Sequence, residues 1–455
     1  MNGEAPLMLS VSGMRGLVGK SLTPPVVANY AAAFGSWLIQ STGTNAPHVV
    51  LGRDSRPSGQ MFEMAAAAGL AAVGCRVTRL GILSTPGVAI MAGHHSAQGG
   101  MVVTASHNPI IWNGIKALRH DGAAPPEDQA QQIIERFKQN NLDYASVESL
   151  QPSNEDSTGV KVHIHRILPH IDVDAIRSAK LKAVVDSVCG AGGDEARALL
   201  EALGVELIHM YPEPTGLFPH TPEPTRDNLT ELCTEVKKHG AAIGFAQDPD
   251  ADRLAVVDEN GRYIGEEYTL ALCAMHLLGA GETVVANLST SRMIDDIAAE
   301  VGATVLRTAV GEANVAAGMQ ACGAAVGGEG NGGIIWPKVC GVRDSLVGMA
   351  LLLEMLAKQG KPLSKLVAAT PAYAIVKDKA DVSQSLLDQI GPTLKEKYAD
   401  QKVDTQDGVR IDWPDRWVHV RPSNTEPIIR IIAEAADEQA ARALVDEVRG
   451  ALGLA

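Results

Sequence analysis

Along the chain, short runs of β-branched and apolar residues alternate with longer stretches whose apolar positions recur at helical spacing. His48-Val49-Val50-Leu51, Arg76-Val77-Thr78 and Met101-Val102-Val103 predict strands, and the Ala-rich stretch from Met61 to Val73 predicts a helix. A second unit of this grammar opens on the buried-strand run Leu181-Lys182-Ala183-Val184-Val185, passes a Gly-rich turn at Gly190 to Gly193 and ends near Arg253. A third has strands around Val284-Val285-Ala286 and Thr304-Val305-Leu306 and a long amphipathic helix from about Asp344 to Gln359. Beyond Pro371 the order becomes α+β: strand-like runs Trp417 to Val420 and Ile428 to Ala433 flank a turn, and a helix from about Glu438 to Leu452 closes the segment. Ser146 to Gly159, rich in Ser, Pro, Asn and acidic residues, predicts a surface link between the first two units.

A small-residue strand pattern recurs. Gly99 to Val103 leads into Thr104, Gly240 to Gly244 leads toward Asp248, and Gly323 to Gly327 leads into Gly328. Equivalent strands in related domains would put ligand loops at these C-terminal ends, where open α/β sheets bind. Gly-Ala-rich strands are also common in buried parallel sheets for packing alone, so both readings stand at this point.

With 455 residues the chain is too long for one core and predicts three or four domains. Apolar residues at 45% and charged residues at 20% are globular usage, which excludes extended disorder. A formal charge of −14 and an aromatic content of only 4% argue against nucleic-acid binding. An anionic substrate would therefore need a local positive patch. The six cysteines are scattered without a C-x-x-C pair and predict reduced, buried thiols in a cytoplasm. Met1 to Ser10 lacks the form of a secretory signal, and apolar runs such as Met349 to Leu353 are too short to span a bilayer, so no membrane partner is expected.

Four polar clusters carry candidate chemistry. In Thr104-Ala105-Ser106-His107-Asn108-Pro109 the serine sits among small and turn-forming residues, either as a nucleophile in need of activation or as a helix cap. A hydrolase serine is disfavoured, because the G-x-S-x-G elbow is missing and His107 is too close in sequence to act as base. Lys116, shortly after, is an acid/base, a phosphate contact or a plain surface lysine. Asp248-Pro249-Asp250-Ala251-Asp252-Arg253 places three carboxylates so that a loop converges them on one hard cation. An EF-hand is the rival, with Glu259 at its last ligand position. Arg253 stands where that loop needs glycine, however, and Leu254 to Val257 reads as a strand, so magnesium suits better than calcium. Gly327 to Gly333 combines glycines with Glu329 and Asn331, able to bond hydroxyls or to form a simple turn. Arg421 to Thr425 gathers a guanidinium, hydroxyls and an amide, the donors a phosphate dianion needs, or a hairpin turn.

Together with Ser12 to Gly16 and Gly52 to Arg56, these clusters resemble, in order and over essentially the whole chain, those of the α-D-phosphohexomutase family. The resemblance implies an α/β fold: three related α/β domains with mixed sheets and a smaller C-terminal α+β domain around a central cleft. The expected divisions are 1–150 with a phosphoserine loop, 158–256 with a metal loop, 257–368 with a sugar-binding loop and 371–455 with a phosphate-binding loop. It implies Ser106 as phosphoserine, and Asp248, Asp250 and Asp252 as ligands of Mg2+ with an oxygen from Ser106. Glu329, Asn331, Thr308 and Gly311 would serve the sugar, and Arg421, Ser423, Asn424 and Thr425 the phosphate that is not reacting. Arg15, Lys116 and Arg253 would join Ser106 in the catalytic group.

The implied reaction interconverts hexose 6-phosphate and hexose 1-phosphate through a hexose 1,6-bisphosphate that serves as intermediate and activator. The partner is a small sugar phosphate, and the expected form is a cytoplasmic monomer or homodimer. Asn331 and Gly333 stand where many bacterial members carry serine and histidine, which is more similar to archaeal-type members. Thr308-Ala309-Val310-Gly311-Glu312 is similar to the T-x-V-G-[DE] pattern of phosphoglucosamine mutases and lacks the K-T-G-H pattern of the dual-specificity group. The reading leans to glucosamine phosphate. Glucose or mannose phosphate, a phosphoserine-dependent phosphatase and a non-catalytic sugar-phosphate sensor are the alternatives.

Overall fold

His48–Arg53 is a continuous apolar run because both of its faces are covered. Val49 and Leu51 pack with Phe34, Phe62, Met101 and Val103 on one side, and Val50 packs with Val88, Val102 and Leu118 on the other. Each such side chain contributes on the order of 1.5–3 kcal/mol by leaving water. The computed structural model describes residues 6–382, 384–422 and 428–454. In it, His48–Arg53 lies within a seven-stranded mixed sheet ordered Met8–Ser10, Gly13–Leu17, Trp112–Arg119, Gly99–Val103, His48–Arg53, Arg76–Ile82, Ser153–Glu155. The last of these corrects an expectation. The stretch 146–159 is largely exposed, yet Ser153–Glu155 pairs in parallel with Arg76–Ile82 and extends the sheet. Its three polar residues, Ser153, Asn154 and Glu155, hide a strand from hydrophobic pattern alone.

The next sheet runs Leu254–Asp258, Ile243–Gln247, Lys182–Asp186, Glu206–Met210, with only the first pair antiparallel. A third ladder sets Thr304–Thr308, Thr283–Asn287 and Val326–Glu329 side by side, all parallel. Of the recurring small-residue runs only Gly99 to Val103 is strand throughout; Gly240 and Gly323 cap the preceding helices, and the strands that follow them are Ile243–Gln247 and Val326–Glu329. Gly99–Val103, Ile243–Gln247 and Val326–Glu329 each lie beside the first parallel strand of their sheet, on the side away from the next one along the chain. The first two lead directly into a polar cluster, and the third cluster begins within its strand, at Gly327 to Glu329.

The C-terminal segment is a five-stranded antiparallel sheet, Ala374–Asp381, Ile428–Ala435, Trp417–Pro422, Val409–Asp412, Lys402–Asp404, with helices Gln384–Lys397 and Glu438–Ala451. The chain divides into two compact units, residues 1–276 with 331–367, and residues 277–330 with 368–455. The six cysteines are free, but only Cys75 and Cys273 are buried. Cys322 is exposed because it ends the helix Glu312–Cys322 at a turn, which corrects the expectation of buried thiols throughout. No described helix is long and apolar enough to cross a membrane.

Candidate active site

Ser106 sits just past Gly99–Val103 with its backbone in the left-handed region, φ 50°, and is almost fully buried. That conformation costs a serine on the order of 1–3 kcal/mol and persists only where the surroundings impose it. Here Arg56 imposes it. Its guanidinium, itself buried, donates through Nη2 to the carbonyls of Ser106 and Asn108, both at 2.6 Å, and through Nη1 to those of Pro109 and Trp112 at 2.9 and 3.1 Å. Asp54 holds Arg56 Nε at 3.0 Å and accepts from Thr104 Oγ1 at 2.6 Å, while Thr104 Oγ1 accepts from Ser106 N–H at 2.9 Å. Ser106 caps no helix, since turns and then the strand Trp112–Arg119 follow it. Its Oγ donates to Asp248 Oδ2 at 2.7 Å and lies 3.3 Å from His107 Nδ1.

The loop after Ile243–Gln247 turns back on itself through Ala251 at φ 55°, and brings Asp248, Asp250 and Asp252 together with no exposure to solvent. One carboxylate oxygen from each lies within 4.8 Å of the others. Asp248 Oδ1 accepts the N–H groups of Asp252 and Arg253, both at 3.1 Å. Asp250 Oδ2 accepts from Thr85 Oγ1 and Lys116 Nζ, both at 2.6 Å, and Asp252 Oδ2 accepts from Lys116 Nζ at 2.8 Å and Arg343 Nη2 at 2.7 Å. The remaining oxygens, Asp250 Oδ1 and Asp252 Oδ1, are buried without a hydrogen bond. Unsatisfied buried carboxylate oxygens are costly, and a small divalent cation is the group that fits such a set of hard donors. Burial, and then the charges of Asp250 and Asp252, raise the Asp248 carboxyl well above the usual range. Burial opposes ionisation of the other two as well, but Lys116 and Thr85 hold Asp250 below its usual value, and Arg343, Lys116 and Arg253 do so for Asp252. The rival calcium loop is not formed: Leu254–Asp258 is a strand and Glu259 accepts from Ser364 N–H and Oγ.

Arg15, on the strand Gly13–Leu17 beside Trp112–Arg119, donates to Asn108 Oδ1 at 3.3 Å, and burial lowers its pKa. Arg253 Nη1 lies 3.7 Å from Glu223 Oε1. Ser106, Lys116, Arg15, Arg253 and the three aspartates all belong to the unit of residues 1–276 and 331–367.

In the other unit Glu329 Oε1 accepts from Asn287 Nδ2 at 2.8 Å and Gly311 N–H at 3.2 Å, so Glu329 and Gly311 meet. Thr308 Oγ1 turns to the Ala309 carbonyl at 3.1 Å. Arg421 Nε pairs with Asp407 Oδ2 at 3.2 Å, and the same oxygen accepts Val310 N–H at 3.1 Å, which ties the Arg421 end of its strand to the turn beside Gly311. Asn331 belongs to the first unit rather than with Glu329. Ser423, Asn424 and Thr425 lie outside the described residues.

Sequence reading assigned no role to Thr85, Arg343, Asp54 or Arg56. Thr85 and Arg343 lie far along the chain from the aspartates, and although Arg343-Asp344-Ser345 is a polar run, nothing local ties either residue to them. Arg56 and Asp54 had a signal, the charged run Arg53-Asp54-Ser55-Arg56 directly after an apolar strand.

Models of phosphoglucomutase/phosphomannomutase domains match almost the full chain: alpha/beta/alpha domain I over residues 8–143, domain II over 161–261, domain III over 266–373 and the C-terminal domain over 373–451. A phosphoglucomutase/phosphomannomutase of Thermococcus kodakarensis is 38% identical over 94% of this chain and 95% of its own length. A protein of Methanopyrus kandleri named "probable phosphoglucosamine mutase" is 36% identical over 96% of this chain and 95% of its own. The crystal structure of a phosphoglucomutase/phosphomannomutase family protein from Burkholderia thailandensis superposes with a TM-score of 0.85 at 30% identity, covering 98% of each chain.

Proposed function

Because the chain belongs to the phosphoglucomutase/phosphomannomutase family, we propose that it interconverts a hexose 6-phosphate and the corresponding hexose 1-phosphate, with Ser106 as the phosphoryl carrier and glucosamine 6-phosphate as preferred substrate. The carrying observation is Ser106 Oγ at 2.7 Å from Asp248, at the lip of three buried carboxylates. A phosphoserine brings about −1.5 to −2 charges, which beside Asp248 requires a cation between them. A magnesium ion held by Asp248, Asp250 and Asp252 with a phosphoserine oxygen would supply that neutralisation.

The phosphoryl group leaves Ser106 Oγ for the free hydroxyl of the sugar monophosphate, which gives up its proton, and a sugar 1,6-bisphosphate results. After that intermediate turns, its other phosphoryl group returns to Ser106 Oγ and a proton is restored to the sugar oxygen. Lys116 Nζ, set between Asp250 and Asp252, is the group assigned to proton movement, Arg15 is assigned to the reacting phosphoryl group, and Arg253, beside the aspartate loop, completes the catalytic set. Glu329, Asn331, Thr308 and Gly311 are assigned to the sugar, and Arg421, Ser423, Asn424 and Thr425 to the second phosphate. Positioning and charge neutralisation carry most of the catalysis in such transfers. Glucose or mannose phosphate is the second reading, favoured by the name of the Thermococcus relative.

Peptide mass spectrometry before and after glucosamine, glucose or mannose 6-phosphate with Mg2+ tests this. The expected result is a phosphate on the Ser106 peptide, lost to one sugar preferentially, and no isomerisation by Ser106→Ala. An unmodified serine that stays unresponsive after priming with a sugar 1,6-bisphosphate sinks the proposal, and stoichiometric release of inorganic phosphate turns it into a phosphatase.

A further inference from the structure

Away from the candidate site, His163 lies fully buried in the helix Gly159–Ile167 with both ring nitrogens on carboxylates, Nδ1 to Glu195 Oε1 and Nε2 to Asp344 Oδ2, each at 2.8 Å. An ionised carboxylate only accepts, so both nitrogens donate and the ring is an imidazolium. Burial opposes that charge, but Asp344 and then Glu195 outweigh it and raise the pKa to about 10.

Both carboxylates hold a second segment as well, through the oxygens that His163 does not touch and, at Glu195 Oε1, through the one that it does. Glu195 accepts from Ser84 Oγ at 2.8 Å and Ser84 N–H at 3.1 Å, and Asp344 Oδ1 caps the helix Ser345–Gln359 by accepting the N–H groups of Leu346 and Val347. Each carboxylate therefore fixes one chain segment, and the next residues of both segments hold the aspartate loop. Beside Ser84, Thr85 bonds Asp250 twice, N–H to the carbonyl at 2.9 Å and Oγ1 to Oδ2 at 2.6 Å. Beside Asp344, Ser345 N–H bonds the Ala251 carbonyl at 3.2 Å, and Arg343 Nη2 reaches Asp252 Oδ2 at 2.7 Å. Ser345 Oγ further accepts from Gln247 Nε2 at 2.9 Å, at the end of the strand that leads into the loop. An isolated histidine in a core would be replaceable by an apolar residue. Here one cation joins the starts of two helices, Thr85–His94 after Ser84 and Ser345–Gln359 after Asp344, that grip successive residues of a single loop.

We propose that His163, with Glu195 and Asp344, is a positioning device that clamps the loop Asp248 to Asp252 from two sides in the shape that receives a divalent cation. It rests on the reading of that loop as a metal site. Partners that orient metal ligands from behind commonly change affinity by about 10–100-fold when lost. His163→Gln keeps one hydrogen bond and removes the charge, and Asp344→Asn keeps the helix-capping oxygen. Glu354→Gln is the control: it breaks another buried carboxylate cluster, with His276 at 2.7 Å and Lys358 at 2.8 Å, on the same helix Ser345–Gln359 but without contact to the loop.

The experiment is titration of the full-length protein with Mn2+, followed by the loss of free-ion EPR signal, with thermal unfolding of each variant alongside. The expected outcome is a dissociation constant raised about tenfold or more in His163→Gln and Asp344→Asn and unchanged in Glu354→Gln, whatever the order of their melting temperatures. No binding by the parent protein removes the metal-site reading itself. Binding by the parent with equal affinity in the folded variants overturns the clamp alone. Affinity lowered equally in Glu354→Gln overturns it too, as general loosening, and so does loss of fold in both clamp variants, since the triad then serves the core.

Discussion

Arg56 shows how much a single side chain is asked to do. Its guanidinium is buried, pairs with Asp54 at 3.0 Å and closes four carbonyls of the segment from Ser106 to Trp112. A lysine would carry the charge but not the planar fork. Arg56→Lys is expected to lower stability by about 1.5–3 kcal/mol, the range for a lost hydrogen bond to a charged group, and to lower turnover beyond what the unfolded fraction explains. Urea unfolding together with kcat on the folded population checks both; unchanged kcat would mean that the left-handed Ser106 needs no brace. At this scale the sequence was legible where chemistry is contiguous. Ser106 and the three aspartates stand in compact polar clusters, and the structure brings them together. Thr85, Arg343 and His163 were not legible, because what gives them meaning is a partner far along the chain.

Elements were read best where burial is two-sided or a helix has clear ends. The helix Ser345–Gln359 begins after Asp344, whose side chain caps it, and stops at the left-handed Gly360, but Ser345 to Leu356 are buried on every face, so it is not the amphipathic helix that the sequence predicts. The C-terminal sheet was half read. Ala374–Asp381 carries Lys377, Asp378, Lys379 and Asp381 among its eight residues, so a run paired along one full edge with Ile428–Ala435 looks polar in isolation. Gly333, which opens the short strand Gly333–Ile335, illustrates the opposite case, a glycine whose reason is a neighbour. A Cβ there would stand 2.1 Å from Arg343 Cδ, the side chain that reaches Asp252. Gly333→Ala is expected to displace Arg343 and lower kcat by about tenfold, the low end for loss of a ligand-orienting contact, with the melting temperature nearly kept. Steady-state kinetics with a thermal scan decides; retained kcat would show that Arg343 has another route to Asp252.

For the whole molecule the division into two compact units makes the metal testable without turnover. The aspartate loop lies entirely in the unit of residues 1–276 and 331–367. Binding only to the folded state stabilises by about 2.7 kcal/mol at a hundredfold excess over the dissociation constant. Calorimetry with EDTA and then Mg2+ should therefore move upward the unfolding transition that melts the aspartate loop, and Asp250→Asn should abolish the movement. No shift on adding Mg2+ would remove the metal from the site. The fold class was legible at this scale from alternating strands and helices, whereas the two-unit division, in which residues 331–367 join the first unit, crosses the order of the sequence and left no trace in composition.

The shared place of Gly99–Val103, Ile243–Gln247 and Val326–Glu329 in their sheets has a consequence for descent. One address has been written three times, and a different delivery is made at each: a buried serine, a set of carboxylates, a glutamate with glycines. A lineage with three copies can revise one delivery while the others stay fixed. On the roles proposed above, divergence in sugar preference is then expected to gather at the third address, with the phosphoryl chemistry of the first two inherited nearly whole.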